Sequence, residues 1–164
     1  MILSINLRYP FPPDSVFWKA RRPLVLACGC FDILTIGHVR HLKEAKRLGT
    51  CLCVLVTADR YVQKPGRPIV PENQRAEVVD ALGCVDLTIV NPHPTAVEAI
   101  RCLSPQFYVK GWEYRGSTTD MSRGSRLYDE IRALKEIGGR IEFTDTDEVH
   151  TTDVVARLLE VQCK

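Results

Sequence analysis

Apolar runs alternate with amphipathic stretches along most of the chain. The runs "PLVLACGC" (23–30) and "CLCVLVT" (51–57) are apolar almost without interruption, as in strands that are buried on both faces of a parallel sheet. Shorter runs of strand character follow at 85–90, 106–110 and 140–144. The pattern therefore predicts five strands.

Helical periodicity fills the intervals between those runs. In the segment 37–49, Val39, Leu42, Ala45 and Leu48 fall on one stripe, and we expect the closing glycine to be the C-cap of a helix. Further helices are predicted at 71–83, 95–102, 125–139 and 151–162.

This alternation predicts an α/β fold. Strands separated by helices imply right-handed crossovers, with helices on both faces of the sheet. We expect a Rossmann-like three-layer α/β/α arrangement with a five-stranded parallel sheet of order 3-2-1-4-5. Ligands of such sheets bind at the carboxyl ends of the strands, where the strand order reverses. The segments that leave the first and fourth strands, "GCFDILTIGH" (29–38) and "KGWEY" (110–114), should converge there.

Composition narrows the class of protein further. The chain has 164 residues, enough for one domain with a sizeable core. We predict an N-terminal extension over residues 1–22, which contain "YPFPPDS", and a single domain over residues 23–164. The net charge of +2 gives no support to a nucleic-acid partner, and the absence of a long apolar run gives none to a membrane.

The seven cysteines are scattered through the chain. We interpret them as reduced thiols of a cytoplasmic protein. The pairs Cys28/Cys30 and Cys51/Cys53 each place two thiols on one face of a strand, so a metal site is an alternative. Packing as small hydrophobes is favoured, because zinc sites prefer the C-x-x-C spacing.

The start of the first predicted helix carries the candidate chemistry. A helix N-terminus presents unpaired N–H groups and partial positive charge, which suit an anion. Gly37 would let a phosphate approach the backbone, while Thr35 and His38 would add side-chain donors at the same place. The same helix has a basic face, made of Arg40, Lys43, Lys46 and Arg47. A P-loop motif and a G-x-G-x-x-G motif are both absent, which disfavours those two kinds of nucleotide site.

The stretch "GCFDILTIGH" resembles the G-x-F-D…[HT]-x-G-H signature of the nucleotidyltransferase (cytidylyltransferase-like) superfamily, which is related to class I aminoacyl-tRNA synthetases. Four further blocks occur in the matching order, and the resemblance covers about residues 23–160. Those blocks are "KPGRPIVPENQRAEVVDALGCVD", "VKGWEY", "GGRI" and "HTTDVV". They are most similar to the heptose 1-phosphate adenylyltransferase domain, which makes ADP-heptose. Glycerol-3-phosphate and ethanolamine-phosphate cytidylyltransferases and phosphopantetheine adenylyltransferase resemble the chain more distantly.

The resemblance implies an enzyme that transfers a nucleoside monophosphate, with AMP favoured, from ATP or CTP to a phosphorylated sugar or polyol and releases pyrophosphate. It implies Mg²⁺ carried by the nucleotide and no metal bound by the protein alone. His38, Thr35 and Lys64 would be the catalytic residues. Thr35 stands where the sugar-phosphate and cytidylyl branches usually have histidine, whereas the phosphopantetheine branch has threonine there.

The resemblance also implies a set of residues that contact the nucleotide. They are Gly29, Cys30, Phe31, Asp32, Gly37, His38, Arg75, Lys110, Gly111, Glu113, Thr151 and Thr152. Several have simpler interpretations: Lys64 as a solvated loop lysine, Arg75 in a surface ion pair, and Thr151 or Thr152 as a helix N-cap. Glu113 replaces the aspartate that is usual in the family.

Two other functions stay open at this stage. One is a CTP-dependent cytidylyltransferase that acts on glycerol 3-phosphate or a similar phospho-alcohol. The other is a non-catalytic nucleotide-binding protein in which Thr35 marks lost activity. We expect the polar segment 112–124 to order over the acceptor, and a homodimer is possible.

Overall fold

The computed structural model describes residues 20–63, 65–116, 125–145, 154–157 and 160, together with the backbone of Ile2–Leu3. Its strands are β1 (Ile2–Leu3), β2 (Leu24–Gly29), β3 (Cys51–Thr57), β4 (Leu87–Asn91), β5 (Phe107–Gly111) and β6 (Arg140–Thr144). Its helices are α1 (Ile36–Lys46), α2 (Glu72–Asp80), α3 (Val97–Leu103) and α4 (Arg126–Glu136), and residues 154–157 are also helical. Short 3₁₀ turns follow β3 and β5, at Asp59–Tyr61 and Trp112–Tyr114.

All strand pairs in the described sheet are parallel, and the order is β1-β4-β3-β2-β5-β6. The five predicted strands lie in the predicted order 3-2-1-4-5, which is confirmed. The sheet also has β1 at its edge, where Ile2 is in register with Thr88 of β4. Sequence patterning missed this strand because two residues are too few to show a period.

The sheet is buried on both faces, as the apolar runs predicted. Side chains alternate along β2, so Leu24 and Leu26 pack with α3 and α4, while Val25 and Ala27 pack with α1 and α2. All four of these residues are fully buried. Burial of each large apolar side chain contributes roughly 1.5–3 kcal/mol. This packing fixes α1 and α4 on opposite faces of the sheet.

Gly49 has a different role from the predicted helix cap. Helix α1 ends at Lys46. Gly49 does not adopt the positive φ that is typical of a glycine helix cap. A Cβ on Gly49 would lie 2.4 Å from the carbonyl oxygen of Pro23, which accepts a hydrogen bond from Thr50 N–H at 3.0 Å. Glycine is therefore needed here because the chain passes very close to the start of β2.

We expect Gly49→Ala to lower the free energy of unfolding by about 1–3 kcal/mol, because the added methyl overlaps a backbone oxygen. Gly83→Ala is the matched control, since a Cβ there would meet nothing within 4 Å, and it should be neutral or slightly stabilising. Urea denaturation of both variants measures the difference. Equal stability of the two variants would show that the contact with Pro23 does not require glycine.

Candidate active site

The candidate site lies where the order of the sheet reverses. Strand β2 leads to α1 on one face, and its neighbour β5 leads through a 3₁₀ turn to α4 on the other face. The two connections diverge and leave a crevice at the carboxyl ends of the strands. A cavity of about 490 Å³ opens there, lined by the β2–α1 turn, the ends of β3 and β5, and the first half of α4.

The β2–α1 turn is tightly constrained. Phe31 has φ 50°, a left-handed conformation that costs a non-glycine residue roughly 1–3 kcal/mol. Its ring is buried and lies edge-on to the ring of His38, with 5.4 Å between the centroids. A Cβ on Gly29 would lie 2.9 Å from the Phe31 ring. Glycine at the end of β2 therefore lets the aromatic ring fold back beneath the cavity and against His38.

Asp32 joins the turn to the loop that precedes α2. Its buried carboxylate accepts from Arg67 at 2.6 Å and from the N–H groups of Ile69 and Val70 at 2.7 and 2.9 Å. Burial alone would raise the pKa of Asp32. The two N–H groups and the Arg67 guanidinium outweigh it, so the pKa lies below its usual value. Ionised Asp32 thus joins the β2–α1 turn to the loop before α2.

Arg75 does not belong to the lining of the cavity. Its side chain is fully buried, and it donates to the carbonyl oxygens of Val70, Thr57 and Cys30 and to the Asp59 carboxylate at 2.5 Å. These bonds connect β2, β3 and α2. The geometry therefore supports a structural role for Arg75, whose guanidinium is buried and not in the surface ion pair of the simpler interpretation. Its predicted contact with the nucleotide remains a prediction.

Thr35 and His38 form a capping box at the start of α1. The Thr35 hydroxyl accepts from His38 N–H at 3.5 Å, and Nδ1 of the His38 ring accepts from Thr35 N–H at 3.1 Å. This second bond assigns the proton of the neutral ring to Nε2. His38 lines the cavity, whereas Thr35 is buried behind it and outside the lining. The structure thus makes Thr35 a positioning residue for His38, and its direct contact with phosphate stays a prediction.

Lys110 at the end of β5 is paired inside the cavity wall. Its ammonium lies 3.1 Å from Glu130 on α4, and both side chains are nearly buried. The other partners of the Glu130 carboxylate are Tyr108 O–H at 2.9 Å and Ala96 N–H at 3.0 Å. Burial would lower the pKa of Lys110, but the Glu130 carboxylate outweighs it and the pKa lies above its usual value. Lys110 is therefore a permanent cation at neutral pH.

The sequence analysis missed several lining residues that carry charge or a titratable ring, among them His41, Arg67, Arg126 and Glu130. His41 follows His38 by three residues, and this spacing places both rings on one face of α1. That spacing was visible in the motif "GHVRH" and would have identified His41. Glu130 had no comparable pattern, because its partners come from distant parts of the chain.

Most predicted nucleotide-binding residues do line the cavity. They are Gly29, Cys30, Phe31, Asp32, His38, Lys110, Gly111 and Glu113. At Gly111 a Cβ would overlap the Glu113 carboxylate, the end of an exposed and flexible side chain that can move aside. Gly37 is in the first turn of α1 but is not part of the lining. Lys64, Thr151 and Thr152 lie outside the described residues.

The cysteine pairs have no metal partners in the described part of the chain, where no group of three or more His, Cys, Asp and Glu could hold an ion. Cys51 and Cys53 are buried in the core, and burial raises their thiol pKa values. Burial also raises the pKa of Cys28, which lines the cavity, to about 11. In the same described ranges, no helix has both the length and the apolar character that crossing a bilayer requires.

Residues 26–157 match the family described as cytidylyltransferase-like. The chain belongs to this cytidylyltransferase-like family, and the superfamily predicted from the "GCFDILTIGH" signature is confirmed.

Curated relatives include two proteins named bifunctional protein HldE. The one from Syntrophotalea carbinolica is 34% identical over 143 residues, which is 85% of this chain and 27% of the relative. The one from Wolinella succinogenes is 38% identical over 127 residues, which is 75% of this chain and 26% of the relative. The chain thus spans about a quarter of the length of these relatives.

Solved structures agree with the fold. The lipopolysaccharide core biosynthesis protein from Thermoplasma volcanium has a TM-score of 0.61 and 26% identity, over 76% of this chain and 98% of that one. Pantothenate synthetase from Thermus thermophilus has a TM-score of 0.52 and 13% identity, over 83% of this chain and 60% of that one. At 13% identity the second structure shows the fold alone.

We expect Asp32→Asn to lower the free energy of unfolding at pH 7 by about 1.5–3 kcal/mol, because hydrogen bonds to a charged group are lost. The lowered pKa of Asp32 gives the sign of the pH dependence. The wild-type advantage should be complete above the ordinary aspartate pKa of about 4 and should disappear as the pH falls through the lower folded value. Urea denaturation at pH 7 and at about pH 3 measures both effects.

Glu77→Gln is the matched control for Asp32→Asn, since this carboxyl is exposed on α2. It should change stability by less than about 0.5 kcal/mol. A pH-independent difference between Asp32→Asn and the wild type would contradict the electrostatic role of Asp32.

Thr35→Val should lower the free energy of unfolding by about 1 kcal/mol, because the cap of α1 is lost. Thr35→Ser keeps the hydroxyl and should remain within a few tenths of a kcal/mol of the wild type. Thermal denaturation compares the two variants. Wild-type stability in Thr35→Val would mean that the hydroxyl does not cap the helix.

Proposed function

We propose that the chain is a nucleotidyltransferase that transfers AMP from ATP to the phosphate of a phosphorylated sugar or polyol, such as heptose 1-phosphate, and releases pyrophosphate. One observation carries the proposal: His38, in the first turn of α1 and oriented by Thr35, lines the same cavity as the buried cation Lys110. Two such donors at the reversal point of the sheet suit a triphosphate.

The protein's part in this reaction is positioning and charge stabilisation. An oxygen of the acceptor's phosphate attacks the α-phosphorus in line, the bond from the α-phosphorus to the bridging oxygen breaks, and pyrophosphate leaves with that oxygen. His38, with its proton on Nε2, would donate to the oxygens on which charge increases. The acceptor's phosphate supplies the attacking oxygen and pyrophosphate is the leaving group. The transfer therefore needs no covalent enzyme intermediate.

The cavity walls contain cations for the remaining phosphate charge. Lys110, Arg67 and Arg126 all contribute to the lining. Lys110 and Arg67 are held in place by Glu130 and Asp32. Such preorganised cations need little rearrangement when a polyphosphate binds, which favours the transition state over the solvated reactants.

Mg²⁺ belongs to the proposal as the counter-ion of the triphosphate. The described residues do not form a cage for this ion. Asp32 and Glu130, the buried carboxylates of the cavity, are already bound to a cation and to further donors. The phosphates of the nucleotide would therefore hold the ion.

The motif blocks support ATP and a phosphosugar as the substrates, since they resemble the heptose 1-phosphate adenylyltransferase domain. Two relatives named HldE and a solved relative described as a lipopolysaccharide core biosynthesis protein agree with a role in saccharide metabolism. The family's description, cytidylyltransferase-like, keeps CTP and glycerol 3-phosphate as the second candidate pair.

A pyrophosphate-release assay tests the proposal directly. ATP and CTP are each combined with Mg²⁺ and a panel of sugar 1-phosphates, with glycerol 3-phosphate included. The proposal expects release that depends on both ATP and a phosphosugar. Release with CTP and glycerol 3-phosphate would replace it with the cytidylyltransferase. A melting temperature raised by nucleotide, without release for any acceptor, would favour a non-catalytic binding protein.

His38→Ala should lower kcat by roughly 10²–10³, the usual loss for one transition-state donor, with little change in nucleotide affinity. His93→Ala is the matched control, because His93 is half-buried after β4 and does not line the cavity. Steady-state kinetics of the two variants provides the comparison. Turnover of His38→Ala within twofold of the control would remove His38 from the chemistry.

A further inference from the structure

A second histidine lies in the cavity and has no part in the mechanism above. His41 is one turn deeper along α1 than His38, and both rings line the cavity. Its Nδ1 lies 2.7 Å from the hydroxyl oxygen of Thr144, at the end of β6. Among the described residues, Thr144 is the hydrogen-bond partner of the His41 ring, and it contacts Nδ1 and not Nε2.

The Thr144 hydroxyl determines which nitrogen of His41 carries the proton. This hydroxyl has one hydrogen, and it donates that hydrogen to the carbonyl oxygen of Lys110 at 3.5 Å. With its hydrogen on that oxygen, the hydroxyl accepts from Nδ1–H of His41, 2.7 Å away. In this tautomer the neutral ring of His41 has a lone pair on Nε2, the opposite of the arrangement in His38.

His41 also stays neutral over the whole physiological range. Burial, followed by the charges of His38 on the same helix and Lys110 on β5, lowers the pKa of His41 to about 4. A neutral nitrogen with a lone pair repels phosphate oxygens and attracts an O–H group. In this cavity His38 and Lys110 therefore suit the phosphates of a substrate, whereas His41 suits a hydroxyl group.

We propose that Nε2 of His41 accepts a hydrogen bond from a hydroxyl group of the substrate, which makes His41 a specificity residue of the cavity. This inference rests on the proposed function. We favour the ribose of the nucleotide as the source, because its hydroxyls lie close to the triphosphate for which His38 and Lys110 provide donors in the same cavity. The acceptor sugar carries the same chemical group and is the other source.

Binding of deoxynucleotides tests the proposal. Affinities of ATP, 2′-deoxy-ATP and 3′-deoxy-ATP are measured by calorimetry on the wild type and on His41→Phe, which keeps a ring and removes both nitrogens. The wild type should bind one of the deoxy analogues about three- to tenfold more weakly than ATP, the range that one net hydrogen bond supplies. In His41→Phe this preference should fall below twofold.

A second measurement tests whether the acceptor is the source of the hydroxyl group. If the wild type and His41→Phe discriminate equally between ATP and both deoxy analogues, KM for the phosphosugar is compared in the same two proteins. A KM raised about three- to tenfold with kcat nearly unchanged would assign the hydrogen bond to the acceptor. Unchanged nucleotide discrimination together with an unchanged acceptor KM would overturn the proposal.

Thr144 provides a second, milder pair of variants. Thr144→Val removes the hydroxyl that sets the tautomer and should reduce the discrimination as His41→Phe does, whereas Thr144→Ser should keep it. Nitrogen-15 NMR of labelled histidine reads the tautomer itself, with His41→Phe to assign the signals. Protonated Nε2 in the wild type would contradict the inference, whatever the affinities are.

The two proposals fail in distinguishable ways. If the wild type binds no nucleoside triphosphate at all, the proposed function is wrong. If the wild type binds and turns over ATP while the His41 and Thr144 variants keep its discrimination and its acceptor KM, only the inference about His41 is wrong.

Discussion

The rest of the site depends on the buried ion pair between Lys110 and Glu130. Both side chains have lost most of their contact with water, at 11% and 6% exposed, and removing water from either charge alone would be unfavourable by on the order of several kcal/mol. The same carboxylate also binds Tyr108 O–H and Ala96 N–H. The pair therefore fixes β5, α4 and the start of α3 relative to one another and keeps a cation at the back of the cavity.

The opposite wall is organised by hydrogen bonds around the end of β2. Asp32 holds the loop before α2, and Thr35 holds the His38 ring. Across the cavity, the Thr144 hydroxyl lies 2.7 Å from Nδ1 of His41 and orients its ring. The side chains that line the cavity are thus held in place by hydrogen bonds and ion pairs within the protein. Catalysis of phosphoryl transfer depends mainly on positioning and on charge stabilisation, and both require groups that are held in place in advance.

Local sequence features predicted the sheet and much of the site. Continuous apolar runs identified the strands, and their alternation with helices predicted a parallel sheet. With the expected order 3-2-1-4-5, the reversal point falls at the cavity that His38 and Lys110 both line. Features that depend on distant contacts were not predictable in this way. Glu130 binds partners on β5 and before α3, Arg75 became a buried structural group because it meets three carbonyl oxygens, and Gly49 is required by Pro23 instead of by helix geometry.

The central claim is that a preorganised cavity catalyses direct in-line transfer between two phosphates. The stereochemical course at the α-phosphorus tests it most directly, with ATP made chiral at that atom by sulfur and with the acceptor that supports pyrophosphate release. One direct displacement predicts inversion of configuration in the product. Retention would mean two successive displacements through a nucleotidyl group bound to the protein and would contradict the account.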